Sequence, residues 1–397
     1  MSDVKAQYEA YPYPERAPED EAKRLITGSP SHPLEIDHFI FGGQRDWSKP
    51  LRVLVAGGGT GDGLIQLAQM MAQAGKPCEM TYVDLSRASR KVAQARAKAR
   101  GLTGIRFETG SLLEAADYGE FDYIDCCGVL HHLPDPALGF AALRAALAPG
   151  GGLGFMVYAP YGRAGVYPLQ DAFGALFEGM MPEQKLAAAK PLLAALPAGH
   201  PFKGNPNLGD HHDSDAGFYD LLLHSQDRAF DVPDLLEVLG QTGWQLNGFT
   251  MPALYDLGRI ASAPEGMDRP QQMAVAEKLR GTIKTHVGYA VPQGAEQGMA
   301  RGNNRALIPH LKGVDARQLA QAVAQGQAPK LSFAGVEARL NLPKQAAPLI
   351  GLINGRRSLS DIARDARVDP IGMGAIWGRV EADLVGWGML LYSGILR

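Results

Sequence analysis

The stretch Val53-Leu-Val-Ala-Gly57-Gly-Gly-Thr-Gly61-Asp-Gly63 constrains this chain more than any other. An apolar run of strand character stops abruptly in glycines. Leu64, Ile65, Leu67, Ala68, Met70 and Met71 then recur at helical spacing. The pattern reads strand, tight turn, helix. Glycines let the backbone turn sharply and approach a ligand closely, because no Cβ intervenes. The helix start behind them offers free N–H groups and partial positive charge. Alone, such a turn fits dinucleotide enzymes as well as nucleoside-binding ones.

The residues that follow narrow the choice. Met80-Thr-Tyr82-Val83-Asp84-Leu85 reads as a second strand ending in an acid. Asp84 lies roughly 20 residues past the glycines, where such folds place a carboxylate for ribose hydroxyls. The alternative for Asp84 is a helix N-cap before Ser86. Ile105-Arg-Phe107-Glu-Thr-Gly110-Ser111-Leu112, then Phe121 to Leu133, then Leu147-Ala-Pro149-Gly-Gly151-Gly-Leu153 continue the strand–loop alternation in order.

Taken together, these matches over about 100 residues resemble the class I S-adenosylmethionine-dependent methyltransferases. The resemblance implies S-adenosyl-L-methionine as cofactor and methyl transfer as the reaction. It implies an α/β, Rossmann-like domain with a seven-stranded sheet, strand seven running antiparallel to its neighbours. It places the cofactor against Gly57, Gly58, Gly59, Gly61, Asp62, Asp84, Leu85, Ser111, Leu112, Cys127, Gly128 and His132. Two positions depart from the family pattern. The acid usual at Val55, which helps hold the cofactor's amino group, is missing, and Asp62 is a candidate substitute. The acid usual at Ser111, which accepts a hydrogen bond from adenine, is a serine.

The 397 residues fit two or three domains. Residues 1–50 form an N-terminal cap segment, in which Tyr8-Glu-Ala-Tyr11-Pro-Tyr13-Pro14 is stiffened by proline and can wall a pocket or pack as a solvated arm. Residues 51–292 form the methyltransferase domain, with helical insertions at about 159–217 and 256–284. Residues 293–397 form a small α+β accessory unit. Its three helices and a strand suggest a winged helix, with Ser358 as N-cap of one helix. Residues 331–397 hold eight Lys/Arg against six Asp/Glu. That balance disfavours nucleic acid as partner and favours a protein or self contact, including a homodimer. The unit is loosely similar to accessory regions of rickettsial-type bacterial protein lysine methyltransferases.

A formal net charge of −3 and 46% hydrophobic residues suit an ordinary globular protein. Three cysteines without metal spacing suit a reducing cytoplasm, and adjacent Cys126 and Cys127 read as buried core. No apolar run reaches membrane-spanning length, and no secretory leader is evident. His131 and His132 are adjacent, so their side chains diverge; no third ligand stands at zinc spacing, and no metal is expected. His211-His-Asp213-Ser-Asp215 reads as a solvated or capping loop. His224, Gln226, Asp227 and Arg228 either position a substrate or lock the insertion to the domain.

A sulfonium methyl is already activated, so the enzyme has mainly to align a nucleophile and exclude water. Tyr11, Tyr13, His131 and Tyr161, with His132, are the side chains expected to line the acceptor pocket. Insertion and tail exceed what a minimal small-molecule enzyme needs, which favours nitrogen of a protein or peptide as acceptor. A small-molecule O- or N-methyltransferase and a non-catalytic cofactor-binding scaffold are the alternatives.

Overall fold

The computed structural model describes residues 3–296 and 298–397. Seven strands form one sheet: β1 (Leu51–Ala56), β2 (Cys78–Asp84), β3 (Ile105–Thr109), β4 (Phe121–Cys127), β5 (Leu147–Tyr158), β6 (Trp244–Phe249) and β7 (Thr285–Pro292). Their order is β3-β2-β1-β4-β5-β7-β6. The first five are parallel, and β7 runs antiparallel to both β5 and β6. This is the expected Rossmann-like sheet of a class I methyltransferase.

The sheet is covered on both faces, as alternation along its strands requires. In β1, Val53 and Val55 pack into a cluster with Leu64, Met71, Tyr82 and Ile36, whereas Leu54 and Ala56 pack into the opposite cluster with Ile124, Phe140 and Leu143. Helix Asp62–Gln73 follows the glycine turn and helix Arg87–Ala99 follows β2. Residues of the 159–217 insertion form helices Val166–Leu176, Pro182–Ala195 and Asp210–Asp213. With helix Asp215–Leu222 they enclose a third apolar cluster around Phe173, Phe202, Phe218 and Leu222.

The C-terminal part holds the three expected helices, Ala347–Gly351, Leu359–Asp365 and Pro370–Leu384. Ser358 caps the second, accepting the Asp361 N–H at 3.1 Å. The strand expected near residue 390, β11 (Leu390–Tyr392), pairs antiparallel with β8 (Pro309–Leu311). A hairpin of β9 (Lys330–Phe333) and β10 (Val336–Arg339) was not foreseen. It precedes the three helices. The apolar residues of this part run on into the main cluster, so Val380, Leu384 and Trp387 belong to the same packed core as Phe249 and Leu254.

One carboxylate joins the two ends of the fold. Asp37, in helix Pro33–Ile40, is fully buried. It accepts hydrogen bonds from Trp47 Nε1 at 2.9 Å, Ser393 Oγ at 2.6 Å and the N–H groups of Arg45 and Gly394 at 3.1 Å. Removing the carboxylate orphans these donors in a dry interior, where each unpaired polar group is costly. Asp37→Ala is therefore expected to destabilise the chain by about 3 kcal/mol in urea unfolding; a change below about 1 kcal/mol would show the network to be incidental.

Candidate active site

A cavity of about 470 Å3 opens at the carboxyl ends of the parallel strands. In open sheets this is where ligands bind, at the switch in strand order. Here the switch lies between β1 and β4. Gly57, Gly58, Gly59, Asp62, Asp84, Leu85, Ser111, Leu112, Cys127, Gly128 and His132 all border the cavity. Gly61 does not. It adopts φ +99° as N-cap of helix Asp62–Gln73, and a Cβ there would stand 3.0 Å from the Ala93 Cβ. Its role is to make the turn rather than to touch a ligand.

The glycine turn and Asp84 hold one another. Gly59, at φ +52°, donates its N–H to Asp84 Oδ2 at 2.8 Å, and Ser86 donates to Oδ1 at 2.8 Å. Burial raises the Asp84 pKa, while these two N–H groups pull it down. Ser86, not Asp84, caps helix Arg87–Ala99. Ser111 caps the short turn that begins at Leu112, accepting the Leu113 N–H at 3.1 Å. Alternation along β4 separates the adjacent cysteines: Cys126 is buried, whereas Cys127 is exposed and faces the cavity. The expectation that both were core holds only for Cys126.

The N-terminal segment crosses over the glycine turn. Thr60 Oγ1 donates to Pro14 O at 2.7 Å, Ser86 Oγ to Tyr8 O at 3.1 Å, and Arg87 N to Glu9 Oε1 at 2.6 Å. Arg16 pairs with Asp62 at 2.7 Å. Arg96, 1% exposed, pairs with Glu21 and Asp62, both at 2.6 Å, and donates to Thr60 O at 2.8 Å. These two cations hold the Asp62 pKa down against its burial. Asp62 borders the cavity but is already ion-paired twice, which makes it a poor replacement for the acid missing at Val55.

The other end of the cavity differs from expectation. Among the tyrosines singled out, Tyr13 borders it. Tyr11 instead stacks on Tyr219 at 5.3 Å, as part of the insertion's cluster. Tyr161 lies in the turn after β5, near Lys278. His131 is fully buried, its ring 3.9 Å from that of Tyr158, and both its ring nitrogens lack partners among the described residues. The cavity is bordered instead by Tyr8, Tyr158, Arg163 and Asp220. Nothing in the local pattern marks Asp220, which sits in the apolar helix Asp215–Leu222.

Asp220 is 3% exposed. Tyr8 donates to its Oδ1 at 3.1 Å and Tyr158 to its Oδ2 at 3.0 Å. Burial raises its pKa. It forms no ion pair among the described residues, unlike Asp227, which Arg163 holds at 3.2 Å. The His224 ring stacks on His132 at 3.7 Å, so the segment judged able to position a substrate or lock the insertion does reach the cavity wall. His132 Nδ1 lies 2.9 Å from the Gln226 carbonyl and must donate to it, which leaves the Nε2 lone pair free in the neutral ring.

The fold also supplies what spacing did not, a third ligand near the paired histidines. Ligand atoms of His132, Asp220 and His224 lie within 4.8 Å of one another, as do those of His131, His132 and Asp227. In the first set His224 Nδ1 accepts the Gln226 N–H at 3.1 Å, so its ring proton sits on Nε2, where a ligand lone pair would be needed. In the second, Arg163 holds Asp227 Oδ2, while Asp227 Oδ1 and both His131 ring nitrogens have no partner among the described residues.

Arg96 is the centre of the strap's attachment. Arg96→Met would leave Glu21 and Asp62 short of a cation in a buried site. It is expected to cost about 3–5 kcal/mol in urea unfolding and to hasten limited proteolysis between residues 11 and 30. Unchanged cleavage would show that the strap is held elsewhere.

A methyltransferase-domain family model matches residues 54–153. An uncharacterized protein of Synechococcus sp. is 31% identical over 285 residues, covering 70% of this chain and 67% of its own length. A ubiquinone biosynthesis O-methyltransferase of Leptothrix cholodnii is 31% identical over 136 residues; the match spans 34% of this chain and about half, 53%, of that protein. The solved structure of PKMT2 from Rickettsia typhi in complex with AdoHcy superposes with a TM-score of 0.62 at 15% identity, over 94% of this chain and 76% of that one. The residues at the cavity suit S-adenosylmethionine: a glycine turn with no Cβ in the way, a strand-end carboxylate beside it, and apolar Leu85 and Leu112 on the side of the third strand. With its sheet order, its glycine turn and these matches, the chain belongs to the class I S-adenosylmethionine-dependent methyltransferases.

Proposed function

We propose that this enzyme methylates an amine nitrogen carried on a protein or peptide. The observation that carries the reading is Asp220, a buried carboxylate on the cavity wall that accepts two tyrosine hydroxyls and forms no ion pair among the described residues. A carboxylate in such a place attracts an ammonium group, because desolvation strengthens the attraction between opposite charges. Arg163 also acts on Asp220 through space, but it makes its ion pair with Asp227.

Bound at the glycine turn, S-adenosylmethionine supplies a methyl group already activated by the positive sulfur. The chain's own residues supply placement. Gly57–Gly59, Asp84, Leu85 and Ser111 form the wall for the nucleoside. Asp220 draws the amine in, and Tyr8, Tyr13 and Tyr158 surround it with ring faces and hydroxyls. An ammonium must lose a proton before its nitrogen can act as nucleophile. His132 Nε2 is the acceptor for that proton, its tautomer set by the Gln226 carbonyl. The strap over the cavity excludes water. The insertion and the 293–397 unit, which we regard as an accessory domain, give a peptide-sized acceptor a surface beyond the cavity mouth.

A small-molecule acceptor is the second reading, favoured by the modest cavity volume. Incubating the chain with radiolabelled methyl donor and a size-fractionated lysate separates the two. Label in the high-mass fraction, lost with Asp220→Asn, is the expected result; label confined to low mass excludes the protein acceptor.

The raised Asp220 pKa also gives a pH signature. Amine capture needs the ionised form, so kcat/KM should fall on acidification at a higher pH than an ordinary carboxylate would give. Asp220→Asn should lower kcat/KM by about 100-fold, the worth of one charged hydrogen bond, and remove that acid limb. Retention of the limb in the variant would move the role to another group.

A further inference from the structure

The missing acid at Val55 has a counterpart on the next strand. In the parallel β1/β4 ladder, Val55 is the register partner of Asp125. Neighbouring strands lie about 4.8 Å apart, so the two side chains serve almost the same volume. Asp125 is 2% exposed yet borders the cavity. Its Oδ2 accepts the Ser31 hydroxyl, and its Oδ1 has no partner among the described residues. Gly63 leaves room for that pair: a Cβ there would come within 2.4 Å of Ser31 Oγ and 3.4 Å of Asp125 Oδ2.

Strand order then says which part of the cofactor lies beside it. Reading along the sheet edge, Ser111 and Leu112 follow β3, Asp84 ends β2, the glycine turn ends β1, and Asp125 stands on β4. With Asp84 toward the ribose and Leu112 toward the base, the nucleoside would lie on the β3–β2 side, and the amino-acid end of the donor, with its primary ammonium group, would fall on the β4 side. Of the carboxylates along this edge, Asp84 already takes two backbone N–H groups, and Asp62 is held by Arg16 and Arg96. Asp125 is the one that keeps an oxygen without a protein partner and makes no ion pair among the described residues.

We propose that Asp125 binds the α-ammonium group of S-adenosylmethionine, doing from β4 what a carboxylate at position 55 would do from β1. The inference rests on the cofactor assignment. Burial pushes the Asp125 carboxyl up to about 6, as an anion still waiting for its counter-charge would show. Ser31, reaching in from the N-terminal segment, orients the carboxylate.

Calorimetry on the full chain tests it with two ligands. S-adenosylmethionine carries the ammonium; 5′-methylthioadenosine shares the nucleoside and sulfur but lacks the amino-acid end. Asp125→Asn, nearly isosteric, should weaken S-adenosylmethionine about 10- to 100-fold and leave methylthioadenosine within two-fold, which also shows that the variant is folded. Returning the acid to β1, as Val55→Asp with Asp125→Val, should recover at least a tenth of the wild-type S-adenosylmethionine affinity. Equal loss for both ligands, or no loss for either, overturns the proposal. A wild-type chain that binds methylthioadenosine but gains nothing from the amino-acid end overturns it as well. Failure of the wild-type chain to bind either ligand overturns the inference together with the cofactor assignment beneath it.

Discussion

A buried guanidinium keeps the donor side of this enzyme in one piece. Arg96 reaches from the helix after β2 to Glu21 in the N-terminal segment, to Asp62 at the start of the first domain helix, and to the carbonyl of Thr60 in the glycine turn. Three stretches of chain that would otherwise drift apart meet at one planar cation. Arginine suits this because its forked donors serve several acceptors at once. The desolvation cost is offset only because every partner is present together. The strap, the turn and the helix start are consequently one mechanical unit, and the cavity exists because that unit is closed.

Within this frame the site divides by charge. The nucleoside side is shaped by backbone and by Asp84. Asp62 is neutralised by two arginines. Two buried carboxylates of the site make no ion pair among the described residues, Asp125 under the turn and Asp220 across the cavity. Buried acids without cations are unfavourable in an isolated chain and are best understood by what they meet in use. A cofactor with an ammonium group and a substrate with another would satisfy both.

Much of this was readable in the residues, and the boundary is instructive. The strand–glycine–helix run and Asp84 were legible because their geometry is local: a turn of that shape needs glycine, and a strand end is marked by its neighbours. Asp125 was not, although its place in β4 was clear. Its meaning depends on which residue of β1 lies opposite, and register belongs to pairing rather than to spacing. Asp220 was hidden for a different reason. It sits among Phe218, Tyr219, Leu221 and Leu222, and only the packing of the insertion against Tyr158 turns that helix face toward the cavity. That His132 and not His131 borders the cavity follows from the irregular turn after β4, where no period predicts which neighbour faces inward. Tyr11 and Tyr161 were chosen for their chemistry and proximity in sequence, but apolar partners captured the first and a solvent-facing turn the second.

The Asp37 network has a consequence for how the molecule comes into being. Its carboxylate finds Ser393 across 356 positions of sequence, so helix Pro33–Ile40 emerges from a ribosome with Arg45 and Trp47 close behind but long before Ser393 and Gly394. Contacts of such separation are paid for in loop-closure entropy before they return anything. The strand edge and the strap can therefore assemble early only in a provisional form, with the tail acting as the latch that fixes them. Full satisfaction of this buried carboxylate then waits until residues 393 and 394 have been synthesised.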